Sequence, residues 1–165
     1  RVALGVPVLD ASTGELAYRM SFVSVQGVDF SANGSSMLVV GHKQRLPSPK
    51  SGDVSVVEIL NPSDGSVIAY RTLPHVGFAA AFDPAGDRVY VAVITGAEGA
   101  YRPALLVLDA DLSVVATLET PDSAPTCGPI GDCMGGVVAR AGDEVGIFHS
   151  WNGPPAQWRF SLKPQ

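Results

Sequence analysis

One strand-turn-strand motif occurs twice in this chain, about fifty residues apart, and a period in that range constrains the fold more than any other feature. Phe30-Ser31-Ala32-Asn33-Gly34 precedes Met37-Leu38-Val39-Val40, and Phe82-Asp83-Pro84-Ala85-Gly86 precedes Val89-Tyr90-Val91-Ala92-Val93. In both copies, residues that accept a tight turn separate apolar runs of strand length. The surrounding pattern predicts units of four strands, near 26-31, 36-42, 54-60 and 66-73, then 77-82, 88-94, 104-108 and 113-119. Asn61-Pro62-Ser63-Asp64-Gly65 and Asp109-Ala110-Asp111-Leu112 join the third strand to the fourth. A looser copy follows, with strands at 136-140, 144-149 and 157-162 and no fourth strand. At the other end, Leu4 to Leu9 and Glu15 to Phe22 flank Asp10-Ala11-Ser12-Thr13-Gly14, so the chain is expected to open in mid-unit. The units divide as 1-24, 25-74, 75-121 and 134-165.

Helical readings fail on period. Apolar residues alternate or run for five to seven positions, and Gly or Pro interrupts every window long enough for three helical turns. The 18 glycines and 13 prolines suit many short strands joined by turns. A hydrophobic content of 46% excludes a disordered chain. The longest apolar runs, at 54-60 and 104-108, fall well below the roughly 20 residues that a membrane-spanning helix requires. With a formal net charge of -5 and basic residues scattered except at Lys43, Arg45 and Lys50, no basic face is expected and nucleic acid is excluded as a partner.

The expected class is all-β. Four-stranded antiparallel units at this spacing favour the blades of a β-propeller over an immunoglobulin-like sandwich, with a small irregular sandwich closed on itself as the competitor. The segment Asp83-Pro84-Ala85-Gly86-Asp87-Arg88-Val89-Tyr90-Val91, through Leu105-Leu106-Val107-Leu108-Asp109 to Val114-Val115-Ala116-Thr117-Leu118, resembles one blade of the YVTN-type bacterial and archaeal propeller repeat. Residues 26-73 follow the same pattern more loosely, with Leu38 where that repeat has Tyr and Asn61 where it has Asp. The resemblance implies an extracytoplasmic protein, secreted or periplasmic, that binds partners or forms part of a periplasmic redox enzyme. It transfers no catalytic residue.

A little over three blades do not make a ring, since propellers close with about four to eight. Two apolar blade faces are then expected to lie open, and the chain is expected to associate with another protein or with a copy of itself. The long connections at 42-53, 95-103, 120-135 and 150-156 gather on one face, where binding is expected. His42, Lys43, Arg45, His75, Tyr101, Arg102, His149 and Trp151 are the candidate binding residues there. The histidines are alternatively local hydrogen-bonding groups, and Trp151 and Trp158 alternatively fill the gap between blades. The aspartates of the opposite turns, Asp10, Asp64, Asp109 and Asp111, read as turn formers rather than calcium ligands. Cys127 and Cys133, six positions apart, form either a small disulfide loop, which would require an oxidising compartment, or two free thiols. Nothing in the sequence calls for a catalytic residue, a metal or a cofactor. The leading expectation is a propeller module for protein binding or structural assembly. The competitors are part of a propeller enzyme, a dehydrogenase or lactonase-like hydrolase, and a carbohydrate-binding propeller using Trp151 and Tyr101.

Overall fold

The computed structural model describes residues 5–44, 53–97, 100–121, 126, 136–142, 144–149 and 156–162. Among them there are thirteen strands and no helix: β1 (Val6–Leu9), β2 (Leu16–Met20), β3 (Ser24–Phe30), β4 (Met37–Gln44), β5 (Asp53–Leu60), β6 (Val67–Thr72), β7 (Val76–Phe82), β8 (Arg88–Thr95), β9 (Arg102–Asp109), β10 (Val114–Glu119), β11 (Gly136–Ala141), β12 (Glu144–His149) and β13 (Ala156–Ser161). They form four antiparallel sheets in sequence order, β1-β2, β3-β4-β5-β6, β7-β8-β9-β10 and β11-β12-β13. No closed ring results. The fold is a propeller segment, with two full blades between two partial ones.

The repeat extends to the register. In β3 the pairing with β4 slips between Val25 and Gly27, and in β7 the pairing with β8 slips between Gly77 and Ala79. Such a bulge adds local twist to the innermost strand of each blade. At the outer edge, Asp10 N donates to the Glu15 carbonyl and Asn61 N to the Ser66 carbonyl, closing two like turns. The pairing also slips at equivalent places, Val8/Leu9 and Ile59/Leu60. β1-β2 is therefore the outer half of a blade, matching β5-β6.

Strands β4, β5, β8 and β9 are buried on both faces, because alternate side chains serve two neighbouring interfaces. Met37 and Val39 pack with Val56 and Leu60 against Met20, Val6, Val8 and Tyr18 of the first sheet. Leu38 and Val40, with Val57 and Ile59, face Val89, Val91, Leu106 and Leu108 of the third sheet. The third sheet's other face, Tyr90, Ala92, Leu105 and Val107, meets Val138, Val145, Ile147 and Phe160.

Polar links tie the second sheet to the third. Asp29 Oδ2 accepts a hydrogen bond from Phe82 N at 2.8 Å, and Ser55 Oγ accepts one from Gly77 N at 2.8 Å. At the outer edge, the Arg71 guanidinium donates to the Leu112 carbonyl at 3.0 Å. Gly27 lets β3 approach β7 closely, since a Cβ there would lie 3.2 Å from the Ala79 Cα.

Candidate functional site: an open blade flank

On the face of the long connections, the described candidates do not converge. His42 Nδ1 lies 3.1 Å from Ser24 Oγ, which also meets Gln26 Nε2 at 3.5 Å. Lys43 is turned inward. Its ammonium pairs with the carboxylate of Glu58, a residue 2% exposed, and sits over the Phe22 ring at 4.8 Å and the Tyr70 ring at 5.8 Å. That geometry makes Lys43 the counter-ion of a buried acid. His75 is exposed at the bend between β6 and β7. Tyr101 packs against the cluster between the third and fourth sheets, as Trp158 does, and the Arg102 carbonyl accepts from Thr95 Oγ1 at 3.3 Å. Arg45, Trp151, Cys127, Cys133 and the side chain of His149 lie outside the described residues.

On the opposite face the aspartates form turns. Asp10 Oδ1 accepts from Ser12 N at 2.8 Å, Ser12 Oγ at 2.5 Å and Thr13 N at 3.0 Å. These donors, the Ser12 hydroxyl foremost, hold the Asp10 carboxyl at a pKa of about 2. Hydrogen bonds from Ser66 lower Asp64, and those from Asp109 and Ser113 lower Asp111. Between the β3-β4 and β7-β8 turns lies a cleft of about 350 Å³, floored by Ile59, Phe82 and Val89 and rimmed by Ser31, Asn33 and Ser35. Its rim is already self-satisfied: Asn33 Oδ1 accepts from Ser31 Oγ, Ser35 N and Ser35 Oγ.

The more informative surface is the flank of β3. In the third sheet Ala80 is 9% exposed and Phe82 is partly buried, both packed on the interface with the second sheet. Their repeat equivalents in β3 are Val28 and Phe30, which are 46% and 53% exposed. The cause is topological. β1 pairs only with β2, so the two inner strands that would cover Val28 and Phe30 are not among the described strands. The first sheet's own Leu9 is 58% exposed beside this gap.

The opposite flank is different. Cross-strand pairing puts Glu144 with Ser161, Gly146 with Arg159 and Phe148 with Gln157 on the outward face of the last sheet. All of these but Gly146 are exposed, and Arg159 lies 3.7 Å from Glu144. Among the described residues, then, the outward face of β12 and β13 is polar where the flank of β3 is apolar. Polar residues at alternate positions of β13 give β12 and β13 a solvated outward surface, with Phe148 its one large apolar side chain among the described residues.

Repeated antiparallel blades, an incomplete ring and one bare apolar flank define a segment of a β-propeller. Solved propeller structures superpose on nearly the whole chain. Hydrazine synthase of Kuenenia stuttgartiensis aligns with a TM-score of 0.65 at 14% identity, over 96% of this chain and 40% of that one. The gluconolactonase XC5397 of Xanthomonas campestris gives 0.54 at 17%, over 96% and 44%. The WD40 domain of Neurospora crassa Pan2 gives 0.56 at 13%, over 97% and 44%. The chain therefore spans less than half the length of each structure, and at these identities the likeness is one of fold. No protein-family model and no curated protein sequence matches the chain.

Proposed function

We propose that this chain is a protein-binding or assembly module whose propeller ring is completed by further polypeptide. The observation that carries this reading is the exposure of Val28 and Phe30, at positions whose equivalents in the next blade are packed between sheets. A blade face bare of its neighbour is an association surface. Completion also agrees with the larger size of the similar propellers, which are more than twice as long as the part this chain matches.

The finer reading is an extracytoplasmic propeller of the YVTN type. Its support is the run from Asp83 to Leu118 together with the closely spaced pair Cys127 and Cys133. Mass measurement of the native assembly tests the association. A species larger than 17.1 kDa is expected, and a monodisperse species of 17.1 kDa in the native extract would overturn the reading. Thiol labelling of Cys127 and Cys133 in that same sample tests the oxidising compartment.

A further inference from the structure

Independently of any assembly, we infer that Asn33 is a self-modifying site: its side-chain amide converts spontaneously to a carboxylate, and the β3-β4 turn captures the product as aspartate. Asn33 is followed by Gly34, whose nitrogen no side chain shields. Asn61 is followed by Pro62, whose nitrogen carries no proton, and the third sheet has Ala85-Gly86 at the place of Asn33-Gly34. Both Asn33 and Gly34 are exposed to solvent. The reaction needs only water. The Gly34 nitrogen gives its proton to solvent base and bonds to Asn33 Cγ, while the Cγ–Nδ2 bond breaks and the nitrogen leaves as ammonia. Water then opens the resulting succinimide ring. Attack at Cγ restores the ordinary main chain with an aspartate side chain, whereas attack at the main-chain carbonyl gives isoaspartate.

The turn bears on every step. In each attack at Cγ the negative charge develops on Oδ1, to which Ser31 Oγ donates at 2.9 Å, Ser35 N at 3.0 Å and Ser35 Oγ at 2.8 Å. Donors already aimed at that oxygen stabilise the oxyanion, and by polarising Cγ they steer the opening water towards aspartate. One contact opposes the first step. Gly34 N donates to the Ser31 carbonyl at 2.8 Å, so the turn must open before the nitrogen can attack, and exposed turns open at low cost. The product is held better than the parent, because a carboxylate turns the same contacts into charge-assisted hydrogen bonds. This chain already holds a carboxylate in that way. Asp10 Oδ1 accepts from the N and Oγ of Ser12, two positions on, as Asn33 Oδ1 accepts from those of Ser35. Isoaspartate, with a longer main chain, would instead disturb the closing bonds from Ser31 N to the Ser36 carbonyl and from Ser36 N to Ser31 Oγ. Since Asn33 stands on the rim of the cleft between the β3-β4 and β7-β8 turns, the conversion places a negative charge at its mouth.

The test incubates the full 165-residue chain at mildly alkaline pH beside a synthetic, unstructured peptide of residues 28-38, with peptide mapping by mass spectrometry and enzymatic detection of isoaspartate. Mapping also separates Asn33 from Asn152, which precedes Gly153 and lies outside the described residues. Conversion at Asn33 is expected to be slower than in the peptide and to quicken as pH rises. The ratio of aspartate to isoaspartate should exceed the peptide's at least about threefold, the worth of an ordinary hydrogen bond. Ser35→Ala, which removes one donor at an exposed position, should move that ratio back towards the peptide's. Asn33→Asp should melt at or above the temperature of the parent, and Asn33→Gln should show no conversion at this position. An intact Asn33 in the folded chain while the peptide reacts overturns the inference. So does a product ratio equal to the peptide's, or one that Ser35→Ala leaves unmoved. A sugar on the Asn33 amide of the native chain also overturns it, because Asn33-Gly34-Ser35 has the pattern of an N-glycosylation acceptor and a substituted amide is no longer free to leave.

Discussion

The two interfaces that flank the second sheet are built from equivalent positions, yet they reach close packing by opposite choices. Between the first and second sheets, the Tyr18 ring lies against the bare backbone of Gly65, where a Cβ would meet it at 2.5 Å. Between the second and third, Ala69 stands at the Tyr18 position, and the shorter turn places Leu112 where the glycine was. Leu112 adopts a φ of 66° and is fully buried. A left-handed leucine costs about 1 to 2 kcal/mol, which its buried side chain offsets. Large against small and small against large both fill the gap, so total volume is kept while the order is exchanged.

The second contrast is electrostatic. β4 and β5 pair Val39 with Glu58, and β8 and β9 pair Val91 with Leu106 at the same place in the blade. Where the third sheet places Leu106 in an apolar cluster, the second buries an acid and draws Lys43 inward to neutralise it. This ion pair lies in the interface beside the bare flank. A buried pair of this kind is a weak source of stability, although breaking it is costly.

The comparison can be broken at several points. Lys43→Ala leaves Glu58 buried without its counter-ion and should destabilise the chain by about 3 to 5 kcal/mol, read from the denaturant midpoint. Gly65→Ala combines a φ of +72° with a collision against Tyr18, and a loss of about 2 to 4 kcal/mol is expected. Tyr18→Ala placed in the same chain should recover part of that loss, which a double-mutant cycle would detect as coupling. Replacing Glu58 and Lys43 together by Leu and Thr copies the third sheet's Leu106 and Thr95 into the second. Stability should then stay level or rise by about 1 to 4 kcal/mol, and a large loss would show that the two interfaces are not interchangeable.

The smallest effect concerns the outer turns. Asp10 has its pKa lowered from 3.8 to about 2, so its contribution is complete above pH 3.8 and disappears as pH falls through about 2. Asp10→Ala should flatten that part of the acid-unfolding profile. A profile unchanged between pH 4 and 2 would mean that the turn hydrogen bonds do not persist in solution.

Much of the architecture was legible in the primary structure because blade turns are local. Asn61 to Gly65 and Asp10 to Gly14 carry the residues that hydrogen-bond their own backbone within a few positions, and strand alternation follows from the apolar pattern between such turns. The bare flank was legible as an expectation of incompleteness, but the polar outward face of β12 and β13 was not. Which face of β12 and β13 turns outward depends on which face packs on the third sheet. Glu58 was also missed. An acid inside Asp53–Leu60, facing Leu106 when the two copies are laid side by side, was the available signal.

The amino-acid order alone determined that this chain is a series of short antiparallel strands with fixed turns, since those depend on φ preferences and hydrogen bonds spanning two to five residues. Only the tertiary structure decided that Asp29 reaches Phe82 N, that Lys43 folds back onto Glu58, and that Val28 and Phe30 stay bare while Ala80 and Phe82 do not. Those outcomes depend on how whole sheets stack, and the energy of stacking resides in side chains brought together from distant parts of the chain.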